Sequence, residues 1–158
     1  MNDILQQQYT LVQSSRAVLL NFIEKKVGAG LNARVPAFDG GTIRYLLVHN
    51  ANCYLQWLAV FAQKETVSKL DDELFTTVSQ IRELFNLVDN TVVGFLKNFE
   101  GKMDIPVAGT LSRNREATVT PLQLFTHVTT HEFHHKGQIV SMCRLLGQIP
   151  PDTDVIRF

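Results

Sequence analysis

The chain has 158 residues, and its 15 Lys and Arg balance 15 Asp and Glu, so no basic stripe offers a nucleic acid or an anionic membrane anything to steer toward. An apolar fraction of 45% excludes a disordered chain, and the length suits a single domain over residues 1–158 with a core of its own. No apolar run is long enough for a membrane span, Met1-Asn2-Asp3 does not open a signal peptide, and Cys53 and Cys143 make no disulfide framework, so the expected setting is the cytoplasm.

The first helix is expected over residues 3–27. Ile4, Leu11, Val18 and Phe22, with Leu5, Val12, Leu19 and Ile23, form a broad apolar face at helical spacing. Gly28 and Gly30 end it, and residues 28–41, with Pro36, Gly40 and Gly41, read as a loop. A second helix is expected over 42–62. Its His49 stands among Leu46, Leu47, Cys53, Trp57 and Leu58, and taken alone it reads as a core histidine with a polar partner. Cys53, four residues on, lies on the same side of that helix. It reads either as a soft fourth ligand or as a small buried hydrophobe.

A polar stretch, 63–72, leads to a third helix over 71–99. There Leu74, Val78, Ile81, Phe85, Val88, Val92, Phe95 and Phe99 recur at threes and fours and mark core. Asp71, Asp72 and Glu73 suit its first turn electrostatically. Residues 100–119 form a long connection, either a solvated loop or a functional lid or crossover. The fourth helix is expected over 120–147: Thr120 can cap, Pro121 sits where a missing N–H costs nothing, and Gly147 with Pro150-Pro151 stops it. Ile149, Val155, Ile156 and Phe158 suggest a tail that packs back on the helices. Four amphipathic segments and no clear strand predict an all-α four-helix bundle.

Four of the five histidines fall between residues 127 and 135. At about 100° per residue, His131 and His135 share a face of the fourth helix with Leu124, Val128, Ile139, Met142 and Leu146. Burying an unpartnered imidazole costs roughly 1–3 kcal/mol. Two such rings are satisfied either by side chains and water or by a divalent metal, and the i, i+4 pairing favours the metal. His49 is then the natural third ligand. Three histidines leave coordination positions open, which is the arrangement of a catalytic site rather than a closed structural one. The string His131-Glu132-Phe133-His134-His135 also satisfies the H-E-x-x-H pattern of zinc proteases. That reading is set aside, because no downstream histidine or glutamate supplies the usual further ligand and no edge strand offers a substrate cleft.

His127, His131, His134, His135, Lys136, Gly137 and Gln138, followed by Leu145-Leu146-Gly147 and Pro150-Pro151-Asp152, resemble the C-terminal pattern of the DinB family. His49 stands where that family places its first histidine. Arg113-Asn114-Arg115-Glu116 is more loosely similar, and Lys136 replaces a usual arginine. The likeness covers most of the chain in layout and is sharp over 127–152. It implies an up-down-down-up four-helix bundle that binds a divalent metal, with His49, His131 and His135 carried over as ligands. His127 and His134 are not carried over. The metal is expected to be zinc or nickel, with iron or manganese as alternatives, and homodimers are common in the family. Some relatives resemble metal-dependent transferases of small thiols such as bacillithiol, mycothiol or glutathione.

The expected function is therefore a metal-dependent transferase of the thiol S-transferase type, or a hydrolase, acting on a small molecule, with Glu132 or a loop residue as a candidate base. The alternative is a non-catalytic metal-binding protein whose ion props the second and fourth helices together. A catalytic ion keeps an open side facing a pocket; a structural ion is closed by a fourth protein group such as Cys53. No DNA binding is expected. The implied helix order requires helices two and three to run parallel, which needs a connection as long as a helix. Residues 63–72 are short for that at roughly 3.3–3.6 Å per residue, so helix three starts later than 71 or the order differs.

Overall fold

In the computed structural model, residues 2–110 and 115–157 are described, and most of them are helical. The four long helices are α1 (Asn2–Phe22), α2 (Ile43–Tyr54), α3 (Val78–Asn98) and α4 (Pro121–Leu145). Short strands β1 (Val107–Thr110) and β2 (Glu116–Val119) lie between α3 and α4. No helix of the described residues is long and apolar enough to cross a membrane.

The helix boundaries follow from local chemistry. α1 runs on through a π-helical turn, Ile23–Val27, and stops at Gly28, whose φ of 55° suits a residue without a Cβ. The Thr42 side chain accepts from the Tyr45 N–H and caps α2, which continues as a π-helical stretch, Leu55–Ala62. α3 begins at Val78, not at 71. Thr77 and Gln80 form a reciprocal capping box there, while Asp72–Leu74 is a separate 3-10 turn and Leu74 is exposed. The connection from α2's extension to α3 therefore covers residues 63–77. α4 begins as expected, with Thr120 and Gln123 in a second capping box and Pro121 in the first turn.

The all-α expectation needs one correction. β1 and β2 pair antiparallel, with Val107 opposite Val119 and Thr110 opposite Glu116. Burial alternates along both strands, so Val107, Gly109, Ala117 and Val119 form the covered face. That face lies on the π-helical end of α2, and a Cβ at Gly109 would come within 2.6 Å of the Phe61 ring. The strands are four residues each, too short to stand out from a turn-rich loop by alternation alone. Arg113 and Asn114 of the family-like loop, like Phe158 of the tail, lie outside the described residues.

One hydrophobic cluster draws on all four helices, including Leu19, Leu47, Leu58, Ile81, Val88, Val92, Phe125, Val128 and Ile139. The inward face of α1 is narrower than the sequence suggests. Leu5, Tyr9, Val12, Arg16, Leu19 and Ile23 are buried, whereas Ile4 and Leu11 are exposed. Among the described residues, the apolar side chains expected to pack the tail back are exposed: Ile149, Val155 and Ile156. The tail's anchor is polar, with the Thr153 carbonyl accepting from Ser15 Oγ and Lys136 Nζ inside the fold.

The centre of the helical core is ionic. Arg16 of α1 and Glu132 of α4 are each only 5% exposed. The guanidinium donates through Nε to Glu132 Oε1 at 2.7 Å and through Nη2 to Oε2 at 3.0 Å. Its Nη1 donates to Asp89 of α3 at 2.7 Å, and its face covers the Phe85 ring at 4.2 Å. Tyr54 of α2 donates to Glu132 at 2.7 Å, and Tyr9 donates to Asp89 at 2.6 Å. Burial opposes the charge on Arg16, but the Glu132 carboxylate outweighs it and keeps the guanidinium protonated. Among the described residues the only buried side-chain polar atom without a partner is Asn50 Oδ1, so this network is fully satisfied. Glu132→Ala leaves Arg16 buried and half-paired. Urea denaturation of that variant should show a loss of about 3–5 kcal/mol; a loss below about 1 kcal/mol, the worth of a surface pair, would mean the network does not hold the helices together.

Candidate metal centre

Where α2 packs on α4, His49 faces His131 and His135. The i, i+4 spacing puts the α4 pair one turn apart, with ring centroids separated by 4.4 Å. The Nε2 atoms of His49 and His131 are 3.1 Å apart, and one donor atom from each of the three rings lies within 4.8 Å of the others. Two nitrogens bound to one tetrahedral zinc at about 2.0–2.1 Å stand roughly 3.3 Å apart, so the donor spacing suits a single ion.

The three rings are half-buried rather than in the core. The buried face of α4 is centred on Phe125, Val128, Glu132, Lys136 and Ile139, and the two histidines flank it. Glu132, the candidate base, therefore points inward. Both its oxygens are engaged by Arg16 and Tyr54, which removes it from the metal side. The same geometry disposes of the protease reading, since the glutamate of H-E-x-x-H would have to face the ion's open side.

Several side chains orient the rings. His135 Nδ1 is 2.5 Å from Gln138 Oε1. An amide oxygen only accepts, so Nδ1 carries the proton and Nε2 keeps its lone pair for an ion. Gln138 was legible in the sequence only as part of the family pattern; its role follows from lying one turn beyond His135. Tyr45, one turn before His49, stacks on that ring at 5.9 Å. His134 is exposed on the outer side, its edge against His135. His127 is also exposed; its Nε2 is 3.8 Å from Cys53 Sγ and its ring meets the edge of Trp57 at 5.2 Å. Cys53 does not join the three-histidine group but groups with His127 and His131.

A cavity of about 440 Å3 opens beside the rings, lined in part by His49, His131, Cys53, Trp57, Val67 and Lys69. Trp57 belongs to the π-helical stretch, where i→i+5 bonding widens the turn; such stretches are frequent at functional sites. The far wall is the 63–77 connection. Asn52 fixes it by donating to the Leu70 carbonyl and accepting from the Leu70 N–H, both at 2.9 Å, and Arg44 pairs with Asp72 at 3.0 Å.

Burial makes all three rings poor bases. His131 is pushed down to about 4, by burial first and then by the rings of His135, His49, His127 and His134. His49 is lowered by burial, then by His135 and Lys69. His135 is lowered by burial, against the opposing effect of its bond to Gln138. All three are thus neutral imidazoles near neutral pH, the form that binds metal. Cys53 is also affected: burial pushes its thiol up to about 12.

These features define a mostly helical protein with a histidine cluster that could hold a divalent metal. The model of the DinB family matches residues 1–158, the whole chain, and the chain belongs to that family. A comparison with curated proteins gives no match.

The lowered histidines have a consequence for the metal-free chain. Above the ordinary value of 6.5 the rings are neutral whether folded or unfolded and contribute nothing. As pH falls from 6.5 toward about 4, the unfolded chain takes up protons that the folded chain refuses. The melting temperature of metal-stripped protein should therefore drop across that window, and His131→Leu should flatten the drop. A flat profile in the unsubstituted chain would mean the rings are not desolvated as described.

Proposed function

We propose that His49, His131 and His135 hold one divalent metal ion at an open site and that the protein is a metal-dependent transferase of the thiol S-transferase type acting on a small molecule. The observation that carries this reading is the pairing of a three-imidazole donor set with an adjoining cavity of about 440 Å3. Among the described residues, no fourth Cys, His, Asp or Glu joins that donor group to close it. Zinc or nickel fits imidazole donors, with iron or manganese as alternatives. When bound, the ion would supply Lewis acidity, lowering the pKa of a thiol or water that reaches it.

The chain's own residues do the rest. Gln138 and Tyr45 hold two of the rings in orientation. Trp57 and Val67 give the cavity apolar walls that shed water, and Lys69 places a positive charge at its edge. That lining suits a small molecule with an apolar portion and an anionic group, as in a low-molecular-weight thiol carrying carboxylates. A hydrolase on the same site is the nearest alternative chemistry. The non-catalytic reading, an ion that only props α2 against α4, is less well supported, because those helices already share the Tyr54–Glu132 bond.

The proposal includes the up-down-down-up bundle, and the register of the contacts supports it. Tyr9 meets Phe125 and Arg16 meets Glu132, as for parallel α1 and α4. Tyr9 meets Asp89 while Asn21 meets Arg82, as for antiparallel α1 and α3. His49 meets His135 while Trp57 meets His127, as for antiparallel α2 and α4. Parallel α2 and α3 follow, and the connection over 63–77 is long enough to span a helix. A homodimer is proposed from family membership alone.

Elemental analysis of untagged protein, followed by thiol-transfer assays on metal-loaded and metal-stripped samples, tests the reading. His131→Ala should weaken metal binding by roughly two orders of magnitude or more, whereas His134→Ala should leave it unchanged. Unchanged metal content in His131→Ala would overturn the ligand set. Metal that stabilises the fold without supporting transfer or hydrolysis would favour the non-catalytic alternative.

A further inference from the structure

We propose that Cys53, His127 and His131 form a second metal position, one that takes a soft or borderline divalent ion through sulfur, beside the three-histidine site.

The geometry is that of a donor set. The Cys53 thiol, His127 and His131 each place one donor atom within 4.8 Å of the other two. Cys53 Sγ and His127 Nε2 are 3.8 Å apart. Sulfur and nitrogen on one tetrahedral zinc, at about 2.3 Å and 2.0–2.1 Å, stand roughly 3.5 Å apart, so a small rotation brings the Cys53–His127 pair to that spacing. Two helices supply the set, with Cys53 from α2 and the two rings one turn apart on α4. His127 is exposed but not free to swing, because the edge of Trp57 lies against it at 5.2 Å and the His131 ring at 5.6 Å. All three donors line the same cavity, so an ion reaches them by the route that serves the histidine site.

The chemistry of the two positions differs. Three imidazoles accept most first-row divalent ions, whereas a thiolate selects for softness. The positions share His131, and a neutral imidazole has one lone pair to give. A soft ion drawn to Cys53 and a harder ion held by His49 and His135 therefore compete for that ring. The chain would discriminate between metals by where it seats them, and a soft ion at the sulfur position would weaken the histidine site. A bare S–H···N contact between Cys53 and His127 is the simpler explanation of their closeness, and it predicts no sulfur–metal bond.

The test uses cadmium alone, added to the metal-free full chain. One equivalent should produce ultraviolet thiolate-to-cadmium charge-transfer absorption in the unsubstituted protein and in His49→Ala, in which the three-histidine site is broken. Cys53→Ser should lose the band while retaining nickel, and Cys143→Ser should keep it. His127→Ala should bind cadmium at least about tenfold more weakly. As a second measurement on the unsubstituted chain, cadmium should slow alkylation of Cys53. No band in the unsubstituted protein, a band that survives Cys53→Ser, or alkylation indifferent to cadmium would overturn the proposal. Nickel retention in Cys53→Ser separates this outcome from failure of the three-histidine reading.

Discussion

The buried pairing of Arg16 with Glu132 is the constraint on which the rest of the structure depends. Two charges removed from water are costly, and they persist only where geometry and additional hydrogen bonds compensate. Here Arg16 directs four donor contacts at Glu132, Asp89 and Tyr9, and Glu132 accepts a further bond from Tyr54. Each of the four long helices contributes at least one member, so the network sets how the helices are rotated as well as how closely they approach. Hydrophobic packing is tolerant of small rotations; a bidentate guanidinium–carboxylate pair is not.

That rotation decides where the histidines go. With Glu132 aimed at the centre, His131 is turned about 100° to one side, and His135, one turn later, follows it. Both rings then lie at the margin of the buried face, half-buried and lowered in basicity by that burial. Had α4 turned so that His131 pointed inward, the rings would be sealed in the core. The acidic residue of a protease-like string thus serves the architecture, and the two histidines lie together on one side of it.

The margin is shaped by less regular structure. The π-helical end of α2 brings Trp57 against His127, and Asn52 holds the 63–77 connection as the opposite wall. The hairpin of β1 and β2 packs on the same π-helical segment, where Gly109 allows close approach to Phe61. Two donor sets of different softness sit side by side there: three borderline imidazoles on one flank, and a soft thiol with its own imidazole neighbour on the other.

Much of this was readable from residue order alone. Four helices, the cap at Thr120, and the pairing of His131 with His135 all follow from interactions within a turn or two of the chain, where spacing dictates geometry. The likeness over residues 127–152 identified the family, and His49 was singled out as the partner of the pair. What residue order could not decide was direction in three dimensions. Periodicity ranks Ile4 and Leu11 with Leu5 and Val12, and it ranks His131 with Leu124, because a helical wheel has no preferred origin until another helix is packed against it. Glu132 within a histidine run reads as a candidate base, and Arg16 in an apolar stripe gives no sign of its role, until each is seen to be the other's partner, 116 positions away. Such pairing is set by tertiary contact, and from it follow the inward carboxylate, the flanking rings and the grouping of Cys53 with His127 instead of His49.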